Sequence, residues 1–254
     1  MTHESSVFCY NASMFDFDHI TNSYVLYDSE TDYGHIQVAD TLYEDEPVCF
    51  LFVNGLMESA MYLDEEKKYD LLFPYLQRLS YAFAVNPDIQ DALMAGGGGF
   101  SYPKYYLHNY PNARIKVCEI SRDIIDIAKK YFGVSDLDES MKERLSVYCG
   151  DGFSLMEEHP HLYDLIINDA FIGREEIGRS EKDIMAAHKN LKDTGIYMTN
   201  LIASPAGKYK HVWKHYQTLL KRYFKYTALI LTEEDFSDNL PQNLLLAASD
   251  TELL

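Results

Sequence analysis

The sequence predicts an α/β protein: a mostly parallel sheet with helices on both faces, preceded by a small antiparallel β unit. Three observations predict it. From about residue 92 apolar strand-like runs alternate with helix-period segments, the pattern of a parallel sheet covered on both sides. The first of these runs opens directly into Gly96-Gly97-Gly98-Gly99, a strand-to-helix turn. Ahead of that region, several short β-type runs separated by turn residues have no helices between them. The boundary is drawn at 64/65, giving an N-terminal β unit over 1–64 and a catalytic domain over 65–254.

Each element has its own signal. Ser23–Tyr27, His35–Ala39 and Val48–Val53 read as strands, with connections at 28–32 and 44–47. Asn54-Gly55 marks a tight turn into a further strand, Leu56–Tyr62. Over 65–84 an apolar period places Tyr69, Leu72, Phe73, Leu76, Leu79 and Phe83 on one face and predicts a single helix. Strands follow at Ala92–Ala95, Ile115–Ile120, Leu145–Cys149, Tyr163–Asn168 and Gly195–Ile202. Helices are predicted over 102–108, 122–132, 181–191 and 208–223, with a short one from Phe153. Two closing strands, Tyr226–Leu231 and Leu244–Ser249, have no long helix between them and suggest an antiparallel hairpin at one edge. That ending is the mark of the methyltransferase-type variant of the Rossmann-like fold.

Composition narrows the function classes. With 22 Lys and Arg against 40 Asp and Glu, the formal net charge is −18. Such a surface repels phosphate backbones and anionic lipid, so neither nucleic acid nor a membrane is an expected partner, while a cationic substrate is compatible with it. No apolar run approaches the ~20 residues of a membrane span, and Met1–Ser6 has no basic-then-apolar pattern. Cys9, Cys49, Cys118 and Cys149 are scattered without metal-ligand spacing; the last three sit in apolar stretches and read as buried small hydrophobes. A cytoplasmic protein without a metal is the expectation.

Four groups follow four successive strands at their C-terminal ends, the edge at which open α/β sheets bind ligands. Gly96, Gly97, Gly98 and Gly99 let the backbone approach a ligand closely, and the departure from G-x-G-x-x-G favours a nucleoside over a dinucleotide. Glu119, followed by Ile120, is placed to accept hydrogen bonds from both ribose hydroxyls; the alternative is a solvated strand-end carboxylate. Asp151, in Gly150-Asp151-Gly152-Phe153, suits the exocyclic amine of adenine or a helix cap equally. Asp169, after Leu165-Ile166-Ile167-Asn168, is placed to face the reactive end as a general base or orienting group.

These residues resemble the polyamine aminopropyltransferases, spermidine synthase and its relatives, from roughly Asp32 to Ser204. Leu93–Gly98 looks like that family's glycine motif, Val117–Ile120 its ribose-binding strand end, Gly150–Phe153 its adenine turn, and Tyr163–Asp169 the strand that delivers its catalytic aspartate. The resemblance implies S-adenosylmethionine, or its decarboxylated form, as cofactor, a small-molecule acceptor with a cationic amine among the candidates, and a homodimer built through the N-terminal β unit. The departures lie around the ammonium: Gly99 stands where the family has an aspartate, Ile172 where it has a second acidic residue, and Gly34 and Glu58 replace glutamines. Tyr69-Asp70-Leu71 replaces Tyr-His-Glu, which leaves Tyr69 as a residue lining the acceptor pocket or a core-facing helix tyrosine. Each lost carboxylate removes a charge-assisted hydrogen bond of roughly 1.5–3 kcal/mol. On that ground the sequence favours methyl transfer from S-adenosylmethionine, with Asp169 and Tyr69 as catalytic residues. The alternatives are aminopropyl transfer from the decarboxylated donor to a diamine, for which Glu58 and Asp70 are possible replacement carboxylates, and a non-catalytic nucleoside-binding protein.

Overall fold

The computed structural model describes residues 20–159, 162–172, 175–233 and 237–254; Cys9, His19 and His161 lie outside them. The chain opens with an antiparallel meander: β1 (Ile20–Thr31), β2 (Gly34–Tyr43), β3 (Glu46–Val53) and β4 (Leu56–Tyr62), in the spatial order β1-β2-β3-β4. Asn54 and Gly55 form the β3–β4 turn with φ of 51° and 74°, the doubly left-handed geometry that an Asn-Gly hairpin favours. The predicted connection over 28–32 is instead the end of β1, which pairs through Thr31 with Gly34; the turn is only Asp32-Tyr33, and Gly34 supplies its φ of 112°.

The single helix predicted over 65–84 does not form. Turns fill 64–70, followed by two short helices, α1 (Pro74–Arg78) and α2 (Tyr81–Val85). Pro74 is the cause: proline disfavours the helical conformation of the residue before it, and Phe73 is extended at ψ 124°. The apolar period still marks the buried side chains, because Phe73, Leu76 and Leu79 all enter the core.

Alternation then runs as predicted: β5 (Asp91–Ala95), α3 (Ser101–Asn109), β6 (Arg114–Glu119), α4 (Arg122–Tyr131), a further short α5 (Glu139–Arg144), β7 (Leu145–Cys149), α6 (Gly152–Glu158) and β8 (Tyr163–Asn168). A two-residue pair, β9 (Phe171–Ile172) and β10 (Glu175–Glu176), precedes α7 (Glu181–Asn190), β11 (Leu191–Ala203), α8 (Lys210–Leu220), β12 (Tyr226–Leu231) and β13 (Gln242–Ser249). The large sheet has the order β12-β13-β11-β8-β5-β6-β7, parallel from β11 to β7, with β13 antiparallel to both β11 and β12. The predicted terminal hairpin is therefore real, with β13 inserted between β12 and the parallel strands.

Strand alternation sorts the core into two layers. Met94, Val117, Ile167, Met198 and Ala247 face the side covered by α3 and by Leu76 and Leu79. Leu93, Cys118, Ile166, Tyr197 and Ala248 face the side covered by Phe153 and Met156 of α6, Ile184 of α7 and Leu220 of α8. A third cluster joins the meander to α4: Ile36, Val38, Cys49 and Leu51 pack on Ile124, Ile127 and Phe132. Of the cysteines read as buried, Cys49 and Cys118 are, and Cys149 is only partly covered. Among the described residues no helix is long and apolar enough to cross a membrane.

Candidate active site

A cavity of about 430 Å³ lies between the meander and the C-terminal edge of the parallel strands, within the size range of small-molecule sites. Gly96, Gly97, Gly98, Glu119, Ile120 and Asp169 all line it, so the edge rule brings together six of the residues singled out in the sequence.

The glycine turn is built for close approach. Gly96 has φ 89°, and a Cβ there would lie within van der Waals overlap of the Asp169 carbonyl, so only glycine lets the β5 and β8 ends meet. At Gly97 a Cβ would strike the Phe100 ring and Val117. Glu119, 8% exposed, accepts hydrogen bonds from Gly97 N (2.8 Å) and Gly98 N (3.4 Å) on Oε2 and from Ser121 N (2.9 Å) on Oε1. Those three amides fix the carboxylate at the cavity wall and leave acceptor capacity for a hydroxyl donor.

Asp169 is held from two sides. Tyr75 Oη donates to Oδ2 at 3.0 Å and Asn200 Nδ2 to Oδ1 at 3.0 Å, with Asn243 Oδ1 receiving the other Asn200 amide proton at 3.0 Å. Burial raises the Asp169 carboxyl to about 6 against the pull of those two hydrogen bonds and the Arg179 charge. Behind it, buried Asn168 donates to Ile177 O, Gly178 O and Tyr197 Oη and accepts from Ala170 N, pinning the loop that follows.

Glu58 is the third carboxylate of the cavity. Leu51 pairs with Ser59 and Phe52 with Met57, so Glu58 has no partner on β3 and forms a bulge in β4. Burial, then Asp169, then Glu119 raise its carboxyl to about 8, and no hydrogen bond opposes them. No Lys, Arg or His among the described residues lines the cavity. Among the described residues, no three His, Cys, Asp or Glu side chains are grouped as metal ligands.

Five of the sequence-derived residues lie outside the cavity lining. Tyr69 stacks on His108 with ring centroids 4.4 Å apart and does not line the cavity; the tyrosine that reaches Asp169 is Tyr75. The break at Pro74 puts the two on different elements. Asp70, offered as a replacement carboxylate, is exposed. Gly99 is closed in by Phe132 and Ser59, each 2.8 Å from where a Cβ would stand, so no aspartate fits there without repacking. Asp151 caps α6, accepting from Phe153 N (3.0 Å) and from Ser154 N (3.2 Å) and Oγ (2.6 Å). Gly152 packs against Cys118 and Ala95. Asp151 nevertheless stays near Glu119: Cys149 pairs with Glu119, and Gly150 N donates to Glu119 O at 3.0 Å.

Sequence reasoning missed Tyr75 and Asn200. Asn200 had a signal, a polar residue within the apolar fifth parallel strand, one position past the last residue paired with β8, as Asp169 is one position past the end of β8. Tyr75 had none, since its position depends on how the chain turns at Pro74.

Comparison with known proteins bears directly on this arrangement. Residues 82–233, more than half of the chain, match the Spermine/spermidine synthase domain. The chain belongs to that family. A polyamine aminopropyltransferase of Lachnospira eligens is 28% identical over 176 residues, covering 67% of this chain and 57% of that protein. An eEF1A lysine and N-terminal methyltransferase of Mus musculus is 35% identical over 81 residues, or 30% of this chain and 11% of that protein. This chain spans about half the length of the first aminopropyltransferases it matches, with 57%, 43% and 40% of their lengths covered. A crystal structure of a probable spermidine synthase from Corynebacterium glutamicum superposes with a TM-score of 0.76 at 20% identity, covering 90% of this chain and 81% of that one, a likeness of fold. This spermidine synthase-family chain thus shares the α/β fold of its spermidine synthase neighbour, and its relatives include both aminopropyltransferases and a methyltransferase by name.

Proposed function

We propose that this spermidine synthase-family chain transfers an aminopropyl group from decarboxylated S-adenosylmethionine to a primary amine. The observation that carries the reading is the acidic lining of the cavity: Glu58, Glu119 and Asp169 line it, and no cationic side chain among the described residues does. A sulfonium donor whose arm ends in an ammonium, and an acceptor that is an ammonium at neutral pH, both suit such a wall. Among the described lining residues an α-carboxylate finds no cation to pair with. This reverses the preference for methyl transfer that the missing aspartate at Gly99 suggested, because Glu58 brings a carboxylate to the same cavity.

In this reading Glu119 takes the ribose hydroxyls and the glycine turn the sulfonium side of the nucleoside. Asp151, beyond the paired Glu119 and Cys149, reaches the adenine amine. The acceptor ammonium first gives up a proton, and the free amine nitrogen attacks the methylene carbon bonded to sulfur. The C–N bond forms as the C–S bond breaks, and the pair passes to sulfur to leave a neutral thioether. Asp169, held by Tyr75 and Asn200, accepts the proton that the nitrogen loses.

The test is product analysis by mass spectrometry with a panel of α,ω-diamines and either donor, using Asp169→Asn as control. Methylthioadenosine plus an aminopropylated amine, absent with Asp169→Asn, is the expected result. S-adenosylhomocysteine formed from the carboxylated donor would establish methyl transfer instead, the reading that the similarity to the mouse methyltransferase favours.

A further inference from the structure

The cavity holds one carboxylate for which the described structure provides no partner. Glu119 is satisfied by three backbone amides and Asp169 by Tyr75 and Asn200. Glu58 is subject to burial and to two like charges with no compensating hydrogen bond. A buried acid left in that condition costs stability unless a ligand supplies the missing donor. Its backbone is also unusual. In a regular β4, Glu58 would pair with β3; the bulge removes it from the ladder and turns its side chain into the cavity. The Glu58 carbonyl stands 3.6 Å from where a Cβ of Gly98 would be, so the bulge lies directly against the glycine turn. Glu58, Asp169 and Glu119 line one cavity, close enough that the other two charges raise the Glu58 carboxyl. A donor bound with its ribose on Glu119 and its reacting carbon toward Asp169 would carry its transferable arm within the cavity that Glu58 also lines.

We propose that Glu58 is the residue that determines donor specificity: its carboxylate receives the terminal ammonium of the donor's aminoalkyl arm and thereby selects a donor without an α-carboxylate. The proposal rests on the nucleoside-sulfonium reading given above. Asp169 contributes to the same field, but its two hydrogen bonds commit it to the reacting end. Ionised against a bound ammonium, Glu58 offers about four acceptor positions to the ammonium's three donors. An α-carboxylate on the same arm would be brought beside Glu58 and Asp169 with no described cation to receive it, so the carboxylated donor loses both the pairing and the fit.

The experiment is calorimetric titration of the full chain and its Glu58→Gln and Glu58→Asp variants with three probes: decarboxylated S-adenosylmethionine, S-adenosylmethionine and methylthioadenosine, which has no ammonium. Glutamine keeps the shape of the side chain and removes its charge. The wild-type chain is expected to prefer the decarboxylated donor. Glu58→Gln is expected to weaken that donor by about ten- to a hundredfold, the loss of one charge-assisted hydrogen bond, and to erase the preference. Methylthioadenosine should bind both proteins alike, and Glu58→Asp should retain part of the selectivity. Preference unchanged in Glu58→Gln would overturn the proposal and leave the aminopropyl reading standing. Equal weakening of all three probes would also overturn it, because Glu58 would then act on the fold of the site. Tighter binding of the carboxylated donor to the wild-type chain, or binding of none of the three, would overturn the aminopropyl reading and this proposal with it.

Discussion

Tyr75 and Asp169 lie 94 residues apart in the chain and meet in a 3.0 Å hydrogen bond, Tyr75 Oη donating to Asp169 Oδ2. The bond stabilises the ionised form of a carboxyl that burial raises to about 6 even against it. Tyr75→Phe is therefore expected to lower kcat/KM by about ten- to a hundredfold, and to move the acid limb of its pH profile upward as Asp169 becomes harder to ionise. Affinity for methylthioadenosine should stay within twofold. Tyr69→Phe, altering a tyrosine that stacks on His108 outside the cavity, should change neither. Parallel pH–rate profiles of the two variants check both statements.

Much of the fold was legible because the apolar strands alternate with helices whose periods and caps agree. Ser121 caps α4 and Ser180 with Asp183 forms a capping box on α7, each where the pattern begins. The helix expected over 65–84 failed at one residue, Pro74, since periodicity reports which side chains are buried without reporting backbone continuity. The site was legible in the same uneven way. Gly96, Glu119 and Asp169 end consecutive parallel strands, so topology alone gathers them. Glu58 reaches the cavity through a one-residue bulge and Tyr75 through a proline break. Both are local irregularities whose effect on direction depends on tertiary packing.

The buried acids make the empty protein's stability depend on pH. Glu58 has an ordinary value of 4.5, and burial beside Asp169 and Glu119 raises it to about 8 in the folded chain. Below about pH 4.5 it is protonated folded or unfolded and contributes no difference. As pH rises from there to 8 the unfolded chain releases a proton that the folded chain retains, so stability falls, and above 8 the loss levels off. Asp169 adds a smaller loss between 3.8 and about 6. The combined effect is on the order of a few kcal/mol. Thermal melts are expected to show Tm declining from pH 5 to 8 in the wild-type chain and a flatter profile in Glu58→Gln, which should melt above wild type at pH 8. A steeper decline in the variant would contradict the protonated Glu58.

Two glycines separate backbone strain from steric exclusion. Gly96 and Gly55 both have left-handed φ, 89° and 74°, but a Cβ at Gly96 would collide with the Asp169 carbonyl while at Gly55 nothing lies within 4 Å. Gly55→Ala should cost about 1 kcal/mol in denaturant melts, the strain of a left-handed alanine, and leave turnover intact. Gly96→Ala carries the same strain and must also push β8's end away. It is expected to cost more than ~2 kcal/mol and to lower turnover at least about a hundredfold through displacement of Asp169.

Asp151 has two jobs available to it, and suitable substitutions can tell them apart. Its carboxylate accepts three hydrogen bonds from Phe153 and Ser154 at the start of α6, which accounts for the residue as a cap. Those bonds also hold the side chain in one orientation beyond the paired Glu119 and Cys149, leaving one lone pair on Oδ1 for an outside donor. Serine preserves a cap and alanine does not, the difference being worth about 1 kcal/mol. Neither can reach as far as a carboxylate. Asp151→Ala is expected to lower Tm and Asp151→Ser to keep it, while both weaken methylthioadenosine binding by about tenfold, consistent with a lost hydrogen bond to a charged acceptor. If calorimetry instead found Asp151→Ser binding the nucleoside as tightly as wild type, the aspartate would be a helix cap and adenine recognition would have to come from elsewhere on the β6–β7 edge.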